Sequence, residues 1–410
     1  MGIEEMFRLA DEQSTSIQSH RTEKYAAGKA LETAKARRLP DIGISLSASY
    51  LGNGKIWNRD FTDGSTVPMP HFSANFALEA RQVIYDGGNI NSGIRQAELE
   101  ELLAELNLQK NIQDVRFLLV GEYLDLYKLD NQISVLRNNL ELTEQIITNM
   151  KARREQGTVL KNDITRYELQ KERLILQLSE IQDARKIANH RLTTALHLPD
   201  DTQIYPDTTL LNEKVSILTE SKWLETACAH HISLKQTQTA IRINEQKVRE
   251  ERSERIPHID IIAANHLDGP VTIEVPALNN YFNYWYVGVG ISYNLSSLFK
   301  NKKKVQQARL NVQQTRELHQ LTQEQVKNDI QESYVKFQTA FTDLHTQENS
   351  VKLANENYAV VSQRYQNDMA LLTDLLDASN MKLAAELDLV NARINIIYCS
   401  FRMKYVTHTL

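Results

Sequence analysis

The chain has 410 residues, 14 glycines, 8 prolines and a formal net charge of −5. So few breakers in a length that ordinarily divides into two or three domains favour long regular elements, and the mild acidity excludes the basic face of a nucleic-acid binder. No apolar run approaches the roughly 18 residues of a spanning helix, which excludes a helical membrane protein and leaves a β-barrel open.

The amino terminus, Met1-Gly2-Ile3-Glu4-Glu5, shows neither a basic segment nor an apolar one. An exported protein would therefore have had its signal peptide, absent from this sequence, removed. Residues 3–37 read as a helical stretch stopped by Pro40. Next, Ile42, Ile44, Leu46, Ala48 and Tyr50 alternate with glycine and serines. That period of two predicts a strand at about 41–51 with one apolar and one polar face. A loop rich in Gly, Asn, Asp and Pro leads to a second such run, Phe72 to Arg81, within a strand at about 71–85. Each run has about the ten residues needed to cross a bilayer at a tilt.

From Asn89 to Gln156 only Gly93 and Gly121 interrupt a helical pattern, about 100 Å long at 1.5 Å per residue. Leu126, Leu129, Ile133, Leu136, Leu140, Ile147 and Met150 follow steps of three, four and seven. After a short break the pattern resumes from Ile164 to Ala195. A periodicity this long demands a partner helix, so residues 89–198 are expected to fold back as a hairpin. Residues 206–218, opened by Pro206, read as a linker.

The order then repeats: a helix over 219–254, strands at about 258–267 and 284–296, and a hairpin over 300–405. Arg153 and Arg364 stand 211 positions apart, as do Asp163 and Asp374; Pro40 and Pro257 stand 217 apart, as do Ala10 and Ala227. The first repeat is 1–205 and the second 219–410. The first has about six more residues in its inter-strand loop. Tyr281, Phe282, Tyr284, Trp285 and Tyr286 gather at one strand start, as an aromatic girdle would. The competing reading is a soluble half-buried sheet.

Helix, proline, two alternating strands and a long helical hairpin, all duplicated, resemble the TolC family of outer-membrane efflux proteins. The two hairpin turns, Arg153-Arg154-Glu155-Gln156-Gly157 and Arg364-Tyr365-Gln366-Asn367-Asp368, are similar to its R-Y-x-x-G pattern, and Ile84-Tyr85-Asp86-Gly87-Gly88 to its strand-to-helix junction. Arg154 and Asp368 depart from the pattern. The resemblance implies a mainly α, internally duplicated fold. Three protomers would build one 12-stranded β-barrel continuing into a long periplasmic α-helical barrel. It further implies a homotrimer in the outer membrane of a Gram-negative bacterium, in contact with outer-membrane lipid. The duct would serve tripartite efflux or type I secretion, with a periplasmic adaptor (membrane fusion protein) and an inner-membrane pump of the RND, ABC or MFS class.

The resemblance also implies two sets of residues. Adaptor-contacting tips would comprise Arg153, Gly157, Thr158, Val159 and Leu160 in the first repeat, and Arg364, Asp368, Met369, Ala370 and Leu371 in the second. Thr158, Val159, Leu160, Met369, Ala370 and Leu371 are expected to be exposed, or else to pack across their turns. A periplasmic gate would comprise Asp163, Tyr365, Asp374 and Asp377. The family's tyrosine-to-aspartate link falls on Tyr365 and Asp163, while its gating arginine falls on Ala370 and is missing. As bare residues, Asp163 and Asp374 fit helix caps equally well. Asp374 and Asp377 share a helix face.

No HExxH, GxSxG or phosphate-binding lysine loop is present, so no enzyme is expected and no cofactor or metal is called for. Cys228 and Cys399 are expected as separate buried thiols, and His230 and His231 as ordinary surface histidines. The alternative outside this class is a cytosolic coiled-coil scaffold, which leaves the duplicated strand pairs unexplained.

Overall fold

The computed structural model describes residues 1–207 and 218–410, apart from the side chain of Cys228. Most of the expected 206–218 linker, and the state of Cys228, lie outside the described residues. The chain forms two units. One comprises residues 24–104 and 237–318, the other residues 1–23, 105–236 and 319–410.

The first unit holds the strands. β1 (Asp41–Tyr50), β4 (Phe72–Tyr85), β5 (His258–Gly269) and β6 (Phe282–Ser292) form an antiparallel sheet in the order β1-β4-β5-β6. β6 starts and stops earlier than the expected 284–296, and β5 runs two residues past the expected 267. β2 (Gly54–Ile56) and β3 (Ser65–Val67) make a small hairpin inside the loop expected to lack strands. Its three-residue arms are too short for periodicity to reveal.

Register assigns the two faces. One carries Ile42, Ile44 and Leu46 of β1, Phe76 and Leu78 of β4, and Trp285, Val287, Val289 and Ile291 of β6. Ile44 and Leu46 are 71% and 76% exposed, a breadth of bare apolar surface that marks contact with something apolar. Asn265 and Asn283, two polar residues on this face, hydrogen-bond to each other at 3.1 Å. The other face carries Ser45, Ser47, Asn75, Glu79, Arg81, Asp260, His266 and Asp268. Asp260 is buried and paired with Arg81. The girdle expectation is corrected here. Phe282, Tyr284 and Tyr286 lie on the polar face, and of these β6 aromatics only Trp285 looks to the apolar side. A run of consecutive aromatics must split between faces, because strand side chains alternate.

Between β4 and the helix that starts at Asn89, Asp86 Oδ1 accepts the Gly88 N–H at 3.0 Å and Oδ2 the Ile90 N–H at 2.6 Å. Gly87 turns at φ 70, and a Cβ there would stand 3.0 Å from both Ile256 and the Ser253 carbonyl. In the second copy, Asn294 Oδ1 does the capping work on Ser296 N–H at 3.1 Å.

The second unit is helical, and several of the helices described next contribute residues to both units. The stretches expected as single helices are each broken once. α1 (Ile3–Gln13) and α2 (Thr15–Ala36) part at Ser14, and α5 (Glu220–His230) and α6 (Ile232–Ser253) part at His231. Both breakers take extended backbone and stand 217 positions apart, so the duplication preserves a kink that no Gly or Pro announces. α3 (Asn89–Glu155) and α4 (Lys161–Ala195) form the first hairpin, α7 (Ser297–Gln366) and α8 (Leu372–Val406) the second. Along α3, Ile133, Leu136, Ile147 and Met150 are buried as their spacing predicts, and Asn139 and Thr143 share that stripe. Asn139 is satisfied by Glu386 at 3.0 Å and the Val135 carbonyl at 2.9 Å.

The main core gathers Met6 and Ala10 of α1, Tyr123 and Leu126 of α3, Leu192 of α4, Ala227 of α5, Phe337 of α7 and Met403 of α8. Ala10 and Ala227 are both fully buried, equivalent small residues under equivalent short helices. The Tyr123 hydroxyl is satisfied at both ends, donating to the Met1 carbonyl and accepting from the Asp207 N–H, each at 2.7 Å.

Candidate functional site

Both hairpin turns close by the same hydrogen bonds. Gly157 (φ 79) and Asp368 (φ 58) occupy the left-handed region. Thr158 N–H donates to the Arg153 carbonyl at 3.1 Å and Gly157 N–H to Arg154 at 2.9 Å; Met369 N–H donates to Arg364 at 2.8 Å and Asp368 N–H to Tyr365 at 3.1 Å. These pairs satisfy the last free carbonyls of α3 and α7. Side chains reinforce them: Thr158 Oγ1 donates to the Arg153 carbonyl at 3.0 Å and Arg364 Nη2 to the Met369 carbonyl at 3.3 Å.

Beneath the turns lies a separate cluster of Ile147, Met150, Val159, Ile164, Tyr167, Leu372 and Leu375, with Tyr358, Val361 and Tyr365 against it. Val159 is buried there, the second of its two expected alternatives: it packs across the turn, in one cluster with Leu372 and Leu375 of α8. Leu160, Met369 and Leu371 are 72%, 64% and 70% exposed. Thr158 is exposed and Ala370 half-buried.

Arg153 joins the two turns. Its Nη2 pairs with Asp368, its Nη1 donates to the Tyr365 carbonyl at 3.4 Å, and its guanidinium stands 5.6 Å over the Tyr365 ring. A cavity of about 270 Å³ opens beside it, lined by Ile146, Met150, Ser362 and Leu375 among others. Burial first, then the Asp163 charge, pushes the Tyr365 hydroxyl pKa up. Asp163 is thus near Tyr365, though no hydrogen bond links them among the described residues. Burial likewise raises Tyr167, whose hydroxyl has no partner among the described residues.

Asp374 is a cap: its Oδ2 accepts the Leu371 N–H at 3.1 Å. Among the described residues Asp163 makes no such bond, and the start of α4 has no side-chain cap. Asp374 and Asp377 are both exposed. Away from the tips, His231 is not an ordinary surface histidine: its ring meets His408 at 4.1 Å, edge to face. His230 is exposed. Among the described residues no group of His, Cys, Asp and Glu is placed to hold a metal, and Cys399 is a buried free thiol.

The sequence profile of outer membrane efflux proteins matches residues 7–196 and 223–397. The chain belongs to this family. A relative, the outer membrane efflux protein BepC of Brucella suis biovar 1 (strain 1330), is 22% identical over 377 residues, covering 91% of this chain and 78% of that protein. Among solved structures, the outer membrane protein VceC of Vibrio cholerae superposes with a TM-score of 0.82 at 14% identity, covering 99% of this chain and 96% of that one. The open-state outer membrane channel MtrE of Neisseria gonorrhoeae gives 0.79 at 15% identity, covering 99% and 88%. At these identities the superpositions establish the fold. The family match makes the chain an efflux protein of the outer membrane, an exit duct and not a scaffold.

Proposed function

We propose that three copies of this chain close a single barrel and work as the exit duct of a tripartite efflux or secretion system. The observation that carries this is the four-stranded sheet. β1 and β6 are its edges, and its apolar face is bare. Open edges cannot stand in hydrocarbon, and four strands cannot close on themselves. Pairing β6 of one copy with β1 of the next satisfies both edges, and three copies give twelve strands.

In this reading the two turns are the periplasmic tips, with Leu160, Met369 and Leu371 as the apolar surface offered to a periplasmic adaptor. The pump behind that adaptor belongs to the RND, ABC or MFS class. Asp163, Tyr365, Asp374 and Asp377 form the gate, six carboxylates of Asp374 and Asp377 gathering about a threefold axis where they favour cations. The test is the mass of detergent-solubilised protein by light scattering. About three times the 47.1 kDa chain is expected. A monodisperse monomer in the absence of detergent would overturn the reading.

A further inference from the structure

The polar face of the sheet carries a row of aromatic rings that lipid anchoring does not explain. Phe282 and Tyr284 of β6 stand 5.4 Å apart with planes inclined by 26°, Tyr284 and His266 of β5 5.1 Å apart at 16°, and His266 and Tyr286 6.0 Å apart at 12°. Near-parallel rings at such separations are offset, so part of each face stays open. Phe282, Tyr284 and Tyr286 are 54%, 37% and 47% exposed.

Negative charge flanks the row. Glu79 shares its register row with Ala264 and Tyr286, and its Oε1 lies 3.9 Å from His266 Nε2. Asp268 shares its register row with Phe282 and lies diagonally across from Tyr284 on the same face. The cation of this face, Arg81, is already taken by Asp260. On β1 the same face offers Gly43, Ser45 and Ser47, small side chains that leave room above them.

Open ring faces beside carboxylates attract a flat cation, because the ring quadrupole and the formal charges act with one sign. We infer that Phe282, Tyr284, His266 and Tyr286, with Glu79 and Asp268, form a binding track for planar aromatic cations on the channel wall. Its position inside the duct rests on the trimeric barrel proposed above. The track holds a passing cation weakly between the barrel mouth and its helical end, as successive sites must if transport is to continue.

The test is fluorescence anisotropy of ethidium titrated into detergent-solubilised trimer, with tetraethylammonium as a charged competitor lacking a flat ring. Saturable ethidium binding is expected, little displaced by tetraethylammonium. It should weaken about tenfold in Tyr284→Leu, which keeps apolar bulk but removes the ring, and persist in Tyr284→Phe. Glu79→Gln with Asp268→Asn should weaken it severalfold and flatten its salt dependence. Trp285→Leu, one residue along but on the lipid side, should leave it unchanged. Absence of saturable binding to an intact trimer, or equal loss in Trp285→Leu, overturns the track and leaves the duct standing. Full binding in Tyr284→Leu would show that the rings serve only to stabilise the β5–β6 pair. Light scattering on the same samples separates these outcomes from failure of the trimer, which removes the duct and the track together.

Discussion

The guanidinium of Arg153, at the end of the first hairpin's outgoing helix, is paired with the carboxylate of Asp368, at the left-handed turn of the second hairpin. Asp368 stands where the resembled tip pattern has glycine, and Ala370 stands where it has a gating arginine. The second turn thus carries the acid and the first repeat supplies the base, so the tips are tied by a contact that neither repeat contains alone.

Arg153→Ala should release that tie. Asp368 is largely exposed, so the ion pair itself contributes no more than about 1 kcal/mol, and the thermal midpoint should move little. Conductance in planar bilayers should rise as the second tip loosens. Unaltered conductance together with an unaltered midpoint would show that the pair is incidental.

Asp368→Gly removes the carboxylate and relieves a left-handed residue in one step. The relief of roughly 1 kcal/mol offsets the lost pair, so this variant should be as stable as the parent. Asp368→Ala loses the pair and keeps the strained backbone, and should be the less stable of the two in denaturant titrations.

Gly157→Val tests the first turn. A Cβ at Gly157 would meet nothing within 4 Å, so the cost is conformational, about 1–2 kcal/mol for a side chain at φ 79. The protein should still form trimers, with a lower unfolding midpoint and reduced complementation of its pump. Wild-type behaviour in both assays would remove the turn from the docking surface.

Replacing Asp374 and Asp377 together by Ala separates capping from gating. Loss of the Asp374 cap costs about 1 kcal/mol in either case. If the pair also lines the periplasmic mouth, cation selectivity and block by multivalent cations should fall. A reversal potential and block identical to wild type would leave Asp374 as a cap and Asp377 as a solvated residue.

His231 and His408 set an acid limit. Burial foremost, then the charge of the partner ring and Lys110, pushes His231 down to about 4; burial, Lys110 and Lys235 push His408 to about 4. Both are held neutral in the fold, so their contribution is complete above 6.5 and is lost as pH falls from 6.5 toward 4. His408→Asn, which tolerates the left-handed backbone at φ 54, should flatten the decline of the thermal midpoint over that window. An unchanged slope would place the acid limit elsewhere.

The duplication, the strands and the long hairpins were legible because each is a periodic signal repeated at a constant offset. Residues 41–50 alternate cleanly, and the stripe through Ile133 and Met150 runs for many turns. The breaks at Ser14 and His231 were not legible, since neither residue is a breaker and the re-aiming follows from packing Met6, Ala10 and Ala227 into the core. The two hairpin turns were marked by motif, but the Arg153–Asp368 pair was not, because its partners are 215 residues apart and belong to different repeats.

Composition and period alone determined that this chain builds duplicated helical hairpins and two-faced strands, because burying one face of an element depends only on which residues recur at 2.0 or 3.6. Tertiary structure decided which strand lies beside which. Only the β1-β4-β5-β6 order and its register bring His266, Glu79 and Asp268 beside Phe282, Tyr284 and Tyr286. Such neighbours are set by hydrogen bonds between strands, and no period within a single strand records them.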